Sequence, residues 1–222
     1  MTQAQTIAGA DFKAALIHAG DCMCAAKDEL CALDGAAGDG DLGATLATGF
    51  AHVRECLLEA DTSDIGAMLS QAGLQLARKA PSTIGTLLAT AFMAAGKDLA
   101  GVSAVDATQV AVSLRVATDA LASRGGATPG ERTIVDAMDG AATSATRAAE
   151  QGADAQQTLT AAAEGARIAA EATAYMEPRH GRAGWLREGA GGTADAGAVA
   201  WAIYLGGLAQ GLAPDEKPAA SE

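Results

Sequence analysis

Long alanine-rich stretches with few β-branched runs, broken at intervals by glycine- and proline-rich segments, most constrain the fold open to this chain. Alanine is the best helix former, so such stretches argue for an all-helical protein. Half of the 222 residues are apolar but only 3% are aromatic. Small side chains of this kind let helices approach one another closely, and the length suits one domain with ample material for a core.

The pattern predicts helices over residues 11–33, 45–60, 65–77, 86–99, 106–123, 133–150, 154–176 and 196–212. Ser63-Asp64 and Asp106 read as helix caps. Residues 1–212 thus read as one unit of about eight helices, with 213–222 a frayed tail. In an up-and-down antiparallel bundle every second loop falls at the same end. The loops at 34–45, 79–86, 124–133 and 178–197 can therefore gather around one site.

A net charge of −12 argues against a nucleic-acid partner, which requires a basic surface. It does not exclude nucleotides, whose charge a metal neutralises locally. No apolar run of membrane-spanning length appears, and the N-terminus lacks the basic and apolar regions of a signal peptide, so a cytoplasmic protein is expected. Cys22, Cys24, Cys31 and Cys56 lack zinc-site spacing and read as reduced thiols.

Chemistry concentrates in the loops. Leu33-Asp-Gly-Ala-Ala-Gly-Asp-Gly-Asp-Leu-Gly43 carries Asp34, Asp39 and Asp41 between small residues that permit sharp turns. Three clustered carboxylates repel one another unless a cation or water compensates them, and hard oxygen ligands suit Mg²⁺. The alternative is a solvated acidic loop capping the next helix. Ala80-Pro-Ser-Thr-Ile-Gly-Thr86 offers Ser82 and Thr83 hydroxyls and backbone N–H groups at a helix start, which suits either a phosphate cradle or an ordinary cap. Gly130-Glu-Arg-Thr133 places Arg132 or Thr133 near a ligand, or simply forms a turn. Arg182 is a candidate for neutralising phosphate charge. Asp195 is a pocket residue or an N-cap. His18 and His52 lie on helices and read as packing or surface residues; His180 sits in a loop.

Taken in order, these segments resemble the nucleotide-binding L subunit of dihydroxyacetone kinases over residues 10–212. The family's metal motif, an aspartate followed after four residues by Gly-Asp-x-Asp-His-Gly, reads here as Asp34, then Gly38-Asp-Gly-Asp-Leu-Gly43. Ser123-Arg-Gly, Pro129-Gly-Glu-Arg-Thr133 and Asp136 are similar to its Pro-Gly-Asp-Lys-Thr segment. Gly181-Arg-Ala183, Leu186, Glu188 and Asp195-Ala-Gly-Ala198 match its C-terminal signature at the same spacing.

The resemblance implies an all-α fold, a closed antiparallel barrel of eight helices with the nucleotide at one end. Asp34, Asp39 and Asp41 would hold two Mg²⁺ ions bridging the phosphates of ADP or ATP. Leu42, Gly43, Ala44, Thr45, Ser82, Thr83, Ile84, Gly125, Ile134, Arg182, Asp195, Ala196 and Gly197 would line the nucleotide, with Arg182 also catalytic. Phosphoryl transfer to a short ketose such as dihydroxyacetone would require a separate ketose-binding K-like subunit. A phosphotransferase-system phosphocarrier would serve where bound ADP is rephosphorylated in place, and a homodimer is left open. The alternative is a nucleotide-binding regulatory subunit without turnover. Three positions depart from the family: Leu42 replaces its histidine, Pro81 a glycine of its phosphate loop, and Gly189 an arginine.

Overall fold

The computed structural model describes residues 5–36, 38–180 and 192–213. Among these, nine α-helices form: α1 (Gly9–Ala25), α2 (Lys27–Gly35), α3 (Leu42–Leu58), α4 (Ile65–Lys79), α5 (Thr83–Asp98), α6 (Ala107–Gly125), α7 (Ile134–Glu150), α8 (Ala155–Ala172) and α9 (Ala196–Gln210). The ninth arises because the first expected helix is broken at Ala26. There the backbone leaves helical geometry at ψ 5° and its N–H is shared between the carbonyls of Cys22 and Cys24. The helix expected to run to 176 ends at Ala172 and continues as a 3₁₀ turn, Thr173–Tyr175. A two-residue antiparallel ladder, β1 (Ile7–Ala8) with β2 (Ala104–Val105), was outside the helical expectation.

The helices form a closed ring. Each of α3 to α9 packs on the next in sequence, and α9 packs back on α1, which itself lies against α3. Alternate connections consequently gather at opposite ends. One end is sealed by the β1–β2 ladder, by Ile65 N–H donating to Val102, and by Lys13 Nζ reaching the Leu58 and Ala60 carbonyls. The other end carries residues 38–41, 80–82, 126–133, 176–180 and 192–195.

Strong local signals fix several boundaries. Asp106 and Asp154 form reciprocal capping boxes with Gln109 and Gln157. Asp64 caps α4 by accepting the Ala67 N–H at 2.9 Å. The core is built largely of alanine (Ala15, Ala19, Ala72, Ala137, Ala141 and Ala162 among others), all buried. Four of the seven aromatics form one buried cluster: Tyr204 stacks on Trp201 and meets Phe50 and Phe92 at ring-centre distances of 5.5, 5.5 and 5.3 Å. Among the described residues no helix is long and apolar enough to cross a membrane.

Small residues set the closest helix contacts. A Cβ at Gly96 of α5 would press on the Ser70 hydroxyl and the Gly66 carbonyl of α4. Gly206 of α9 has open space around its Cα. Gly96→Ala is therefore expected to lower the unfolding free energy, read from urea titration, by about 1–3 kcal/mol through overpacking. Gly206→Ala is expected to raise it by about 0.5–1 kcal/mol through helix propensity alone. Equal responses of the two variants in equilibrium unfolding would contradict this account of the packing.

Candidate functional site

The open end of the ring holds a cavity of about 590 Å³, within the size range of ligand pockets. Four walls contribute: Leu33 to Leu42, Pro81 to Leu87, Arg132 to Ile134, and Thr193 to Gly197 together with His180.

The first wall is the acidic loop. One carboxylate oxygen from each of Asp34, Asp39 and Asp41 lies within 4.8 Å of the others. Gly40 turns the chain in a left-handed conformation, φ 76°, that a side chain would resist, and so folds Asp39 and Asp41 back beside Asp34. Asp34 also accepts the Leu42 N–H at 3.3 Å, which ties the loop to the start of α3. Asp41 stands at the N-cap of α3 yet its side chain makes no capping hydrogen bond. The helix-cap alternative therefore fails for Asp41, and the all-oxygen, all-anionic set has the chemistry of a hard-cation site.

In the second wall, Thr83 and Ile84 belong to the first turn of α5 rather than to a loop. Ser82 is its N-cap and accepts the Gly85 N–H at 3.1 Å, while neighbouring backbone N–H groups face the cavity end of the helix.

Asp136 organises the third wall. Its buried carboxylate accepts backbone N–H groups from Gly130 and, at 2.7 Å, from Thr133. This clamp holds Arg132 at φ 59°, among the described residues the one non-glycine position in the left-handed region. Such strain persists only where surrounding contacts enforce it. The buried Arg132 guanidinium donates to the Thr193 carbonyl, joining the third wall to the fourth.

The fourth wall is anchored by Thr173, whose hydroxyl accepts the Asp195 N–H at 2.8 Å. Asp195 caps α9 through the Ala198 N–H, also at 2.8 Å, and lines the cavity. Burial pushes its carboxyl up to about 6, opposed by the Ala198 N–H and the Arg132 charge. His180 Nε2 meets the Glu131 carboxylate at 2.7 Å, and Glu131 in turn accepts the Thr128 N–H at 2.8 Å. That backbone hydrogen bond first, and His180 second, hold Glu131 below the usual carboxylate range.

Of the residues singled out from sequence, Asp34, Asp39, Asp41, Leu42, Ser82, Thr83, Ile84, Ile134, Asp195, Ala196 and Gly197 all line this one cavity. Gly43, Ala44 and Thr45 do not. Gly43 is buried where α3 crosses α2, and a Cβ there would strike the Lys27 carbonyl. The packing of α3 on α2 therefore requires a glycine at this position. Gly125 lines an adjoining cavity of about 570 Å³ that shares Pro81, Ser82, Thr83 and Leu87 with the first. Arg182 lies outside the described residues, as do Gly189 and residues 214–222. His180 and Leu87 line the cavity without having been assigned to it: His180 carried no periodic or motif signal, and Leu87 reads as an ordinary helical apolar position.

A family model described as the DAK2 domain matches residues 36–210. The ADP-binding subunit DhaL of the PEP-dependent dihydroxyacetone kinase of Escherichia coli is 31% identical over 184 residues, covering 83% of this chain and 88% of that one. A D-erythrulose kinase of Mycolicibacterium smegmatis is 38% identical over 180 residues, covering 80% of this chain. The chain spans about a third of the length of the erythrulose kinases it matches, 31% in that case and 37% for an L-erythrulose kinase of Pectobacterium atrosepticum. Among solved structures, the dihydroxyacetone kinase of C. freundii in complex with AMP-PNP and Mg²⁺ superposes with a TM-score of 0.71 at 26% identity, over 94% of this chain and 35% of that one.

The buried Asp195 carboxyl makes a pH prediction. Its folded-state value, about 6, lies above its ordinary 3.8, so the folded protein holds this proton more tightly than the unfolded chain. Stability from this group is therefore greatest below about pH 4 and declines as pH rises through about 6. Asp195→Asn keeps an oxygen for the Ala198 N–H and removes the charge. The variant is expected to melt higher than wild type at pH 7.5 and to lose that advantage near pH 4, as thermal unfolding at the two pH values will test.

Proposed function

Given that the chain belongs to the DAK2 domain family, we propose that it is the Mg-nucleotide-binding subunit of a dihydroxyacetone-type kinase, acting in the cytoplasm. The observation that carries this reading is the convergence of the Asp34, Asp39 and Asp41 carboxylates within 4.8 Å, at a cavity that the start of α5 and the start of α9 also line. Residues 1–212 act in it as one nucleotide-binding unit.

In this reading Asp34, Asp39 and Asp41 hold two Mg²⁺ ions, which when bound neutralise the phosphates and polarise the bond to the transferred group. The chain's own residues position the ligand. The first-turn N–H groups of α5, at Thr83 and Ile84, face phosphate oxygens. Ile134, Leu87 and the α9 start at Ala196 and Gly197 form the less polar side of the pocket. The adjoining cavity beside Gly125 and Leu87 gives the base and ribose room to extend. Arg182 offsets charge on the transferred phosphoryl group. Leu42 adds an apolar contact beside Asp41.

The acceptor is a short ketose, dihydroxyacetone or erythrulose, delivered by a separate K-like subunit. The E. coli relative is named as an ADP-binding subunit, and its name supports the two-subunit arrangement. It also favours ADP as a retained cofactor, rephosphorylated by a phosphocarrier, over freely exchanging ATP. A second copy of the chain as a dimer partner is compatible with either arrangement.

Titration calorimetry with Mg-ADP and Mg-ATP tests the nucleotide step. Wild type is expected to bind, and Asp39→Ala to lose at least as much affinity as the about 10–100-fold typical of metal-site supporting residues. Absence of binding in wild type, or indifference to the loss of Asp39, would refute the assignment.

A further inference from the structure

The cavity is electrically unbalanced in a way the metal-binding aspartates alone do not explain. Among its described lining side chains, Asp34, Asp39, Asp41 and Asp195 are acidic, and only Arg132 and His180 are basic. The Arg132 guanidinium already donates to the Thr193 carbonyl. His180 is different. Its Nε2 faces the Glu131 carboxylate at 2.7 Å, and because a carboxylate only accepts, Nε2 carries the proton. No hydrogen bond to Nδ1 is made among the described residues. Glu131 is itself fixed, accepting the Thr128 N–H, approached by Arg179 at 3.8 Å, and only 18% exposed at its side chain. A histidine oriented by a braced carboxylate, with its second nitrogen uncommitted at a pocket, is built to meet a ligand.

We propose that the Glu131–His180 pair is a phosphate-binding arm of this pocket, with the doubly protonated imidazole donating Nε2–H to Glu131 and Nδ1–H to a phosphate oxygen of the nucleotide. The inference rests on the Mg-nucleotide reading above. A neutral imidazole donates from one nitrogen only, so a ring bridging two anions requires the imidazolium. Nucleotide binding is accordingly coupled to uptake of a proton from solvent, up to one per site. Among the described residues, the other charged groups around the pocket are Arg179 next to His180, Arg132 on the third wall, Asp195 on the fourth and the three aspartates of the first.

The test is calorimetry of Mg-ADP binding at pH 7.5 in buffers of differing ionisation enthalpy. Wild type is expected to take up a measurable fraction of a proton. His180→Asn is expected to bind about tenfold more weakly, as for loss of one hydrogen bond to a charged group, with the uptake abolished. Glu131→Gln is expected to lower both affinity and uptake by smaller amounts. Wild-type affinity and uptake in a folded His180→Asn would overturn the proposal while leaving the nucleotide site intact. No Mg-ADP binding in wild type would instead overturn the nucleotide reading, and this inference with it. Nitrogen-15 NMR of the wild-type histidines needs no variant: on adding Mg-ADP, His180 is expected to move to the imidazolium pattern while His18 and His52 stay unchanged. An unmoved His180 spectrum in the bound protein would also overturn the proposal.

Discussion

The architecture depends on how closely neighbouring helices approach. Gly66, Ser70 and Gly96 bring α4 and α5 together backbone to backbone, and Gly140, Ser144 and Gly165 do the same for α7 and α8. Close-packed interiors tolerate little added volume, so these contacts fix the spacing around the ring and with it the positions of the loops. Closure by α9 against α1 then leaves no open side. The site is a product of that closure, because its first and fourth walls adjoin α2 and α9, far apart in sequence and brought together only by the completed ring.

Each wall is held by contacts of its own. Asp136 clamps the 130–133 turn, Thr173 holds the approach to Asp195, and Ser82 caps α5. These are mostly hydrogen bonds between a side chain and nearby backbone, short in sequence and cheap in ordering entropy. Arg132 is the tie between walls, which accounts for its being both buried and held in an unfavourable backbone region. Removing it would uncouple two loops at once and leave Asp195 without its nearest opposing charge.

The helical fold was legible because alanine content and glycine–proline punctuation act locally. The end at which the loops meet followed from helix count alone, even though the count missed the break at Ala26. That break moves no loop to the other end, since α2 continues the direction of the chain toward the acidic segment. What escaped detection was set by tertiary contact. Gly43 is a nucleotide-lining position by resemblance, and only the crossing of α2 over α3 reveals that its packing also needs a glycine. His180 and Glu131 are 49 positions apart and share no pattern. Arg132 gives no sign of a positive φ, which Asp136 imposes from the helix that follows.

The first wall differs from the others in one physical respect. Its three carboxylates converge while Asp34 accepts a single weak hydrogen bond from Leu42, at 3.3 Å. Like charges at such separations repel, and the cost grows as a ligand excludes water from between them. Asp136, by comparison, meets two backbone N–H groups and is stable buried. The converging carboxylates of the acidic loop carry a like-charge cost that a cation bound there would offset. In the proposed reading the electrostatic balance of this wall is completed by the ligand. A divalent cation bound here would relieve the repulsion that an anionic nucleotide meets, and the nucleotide would in turn add oxygen ligands to the cation, so the two affinities would be linked.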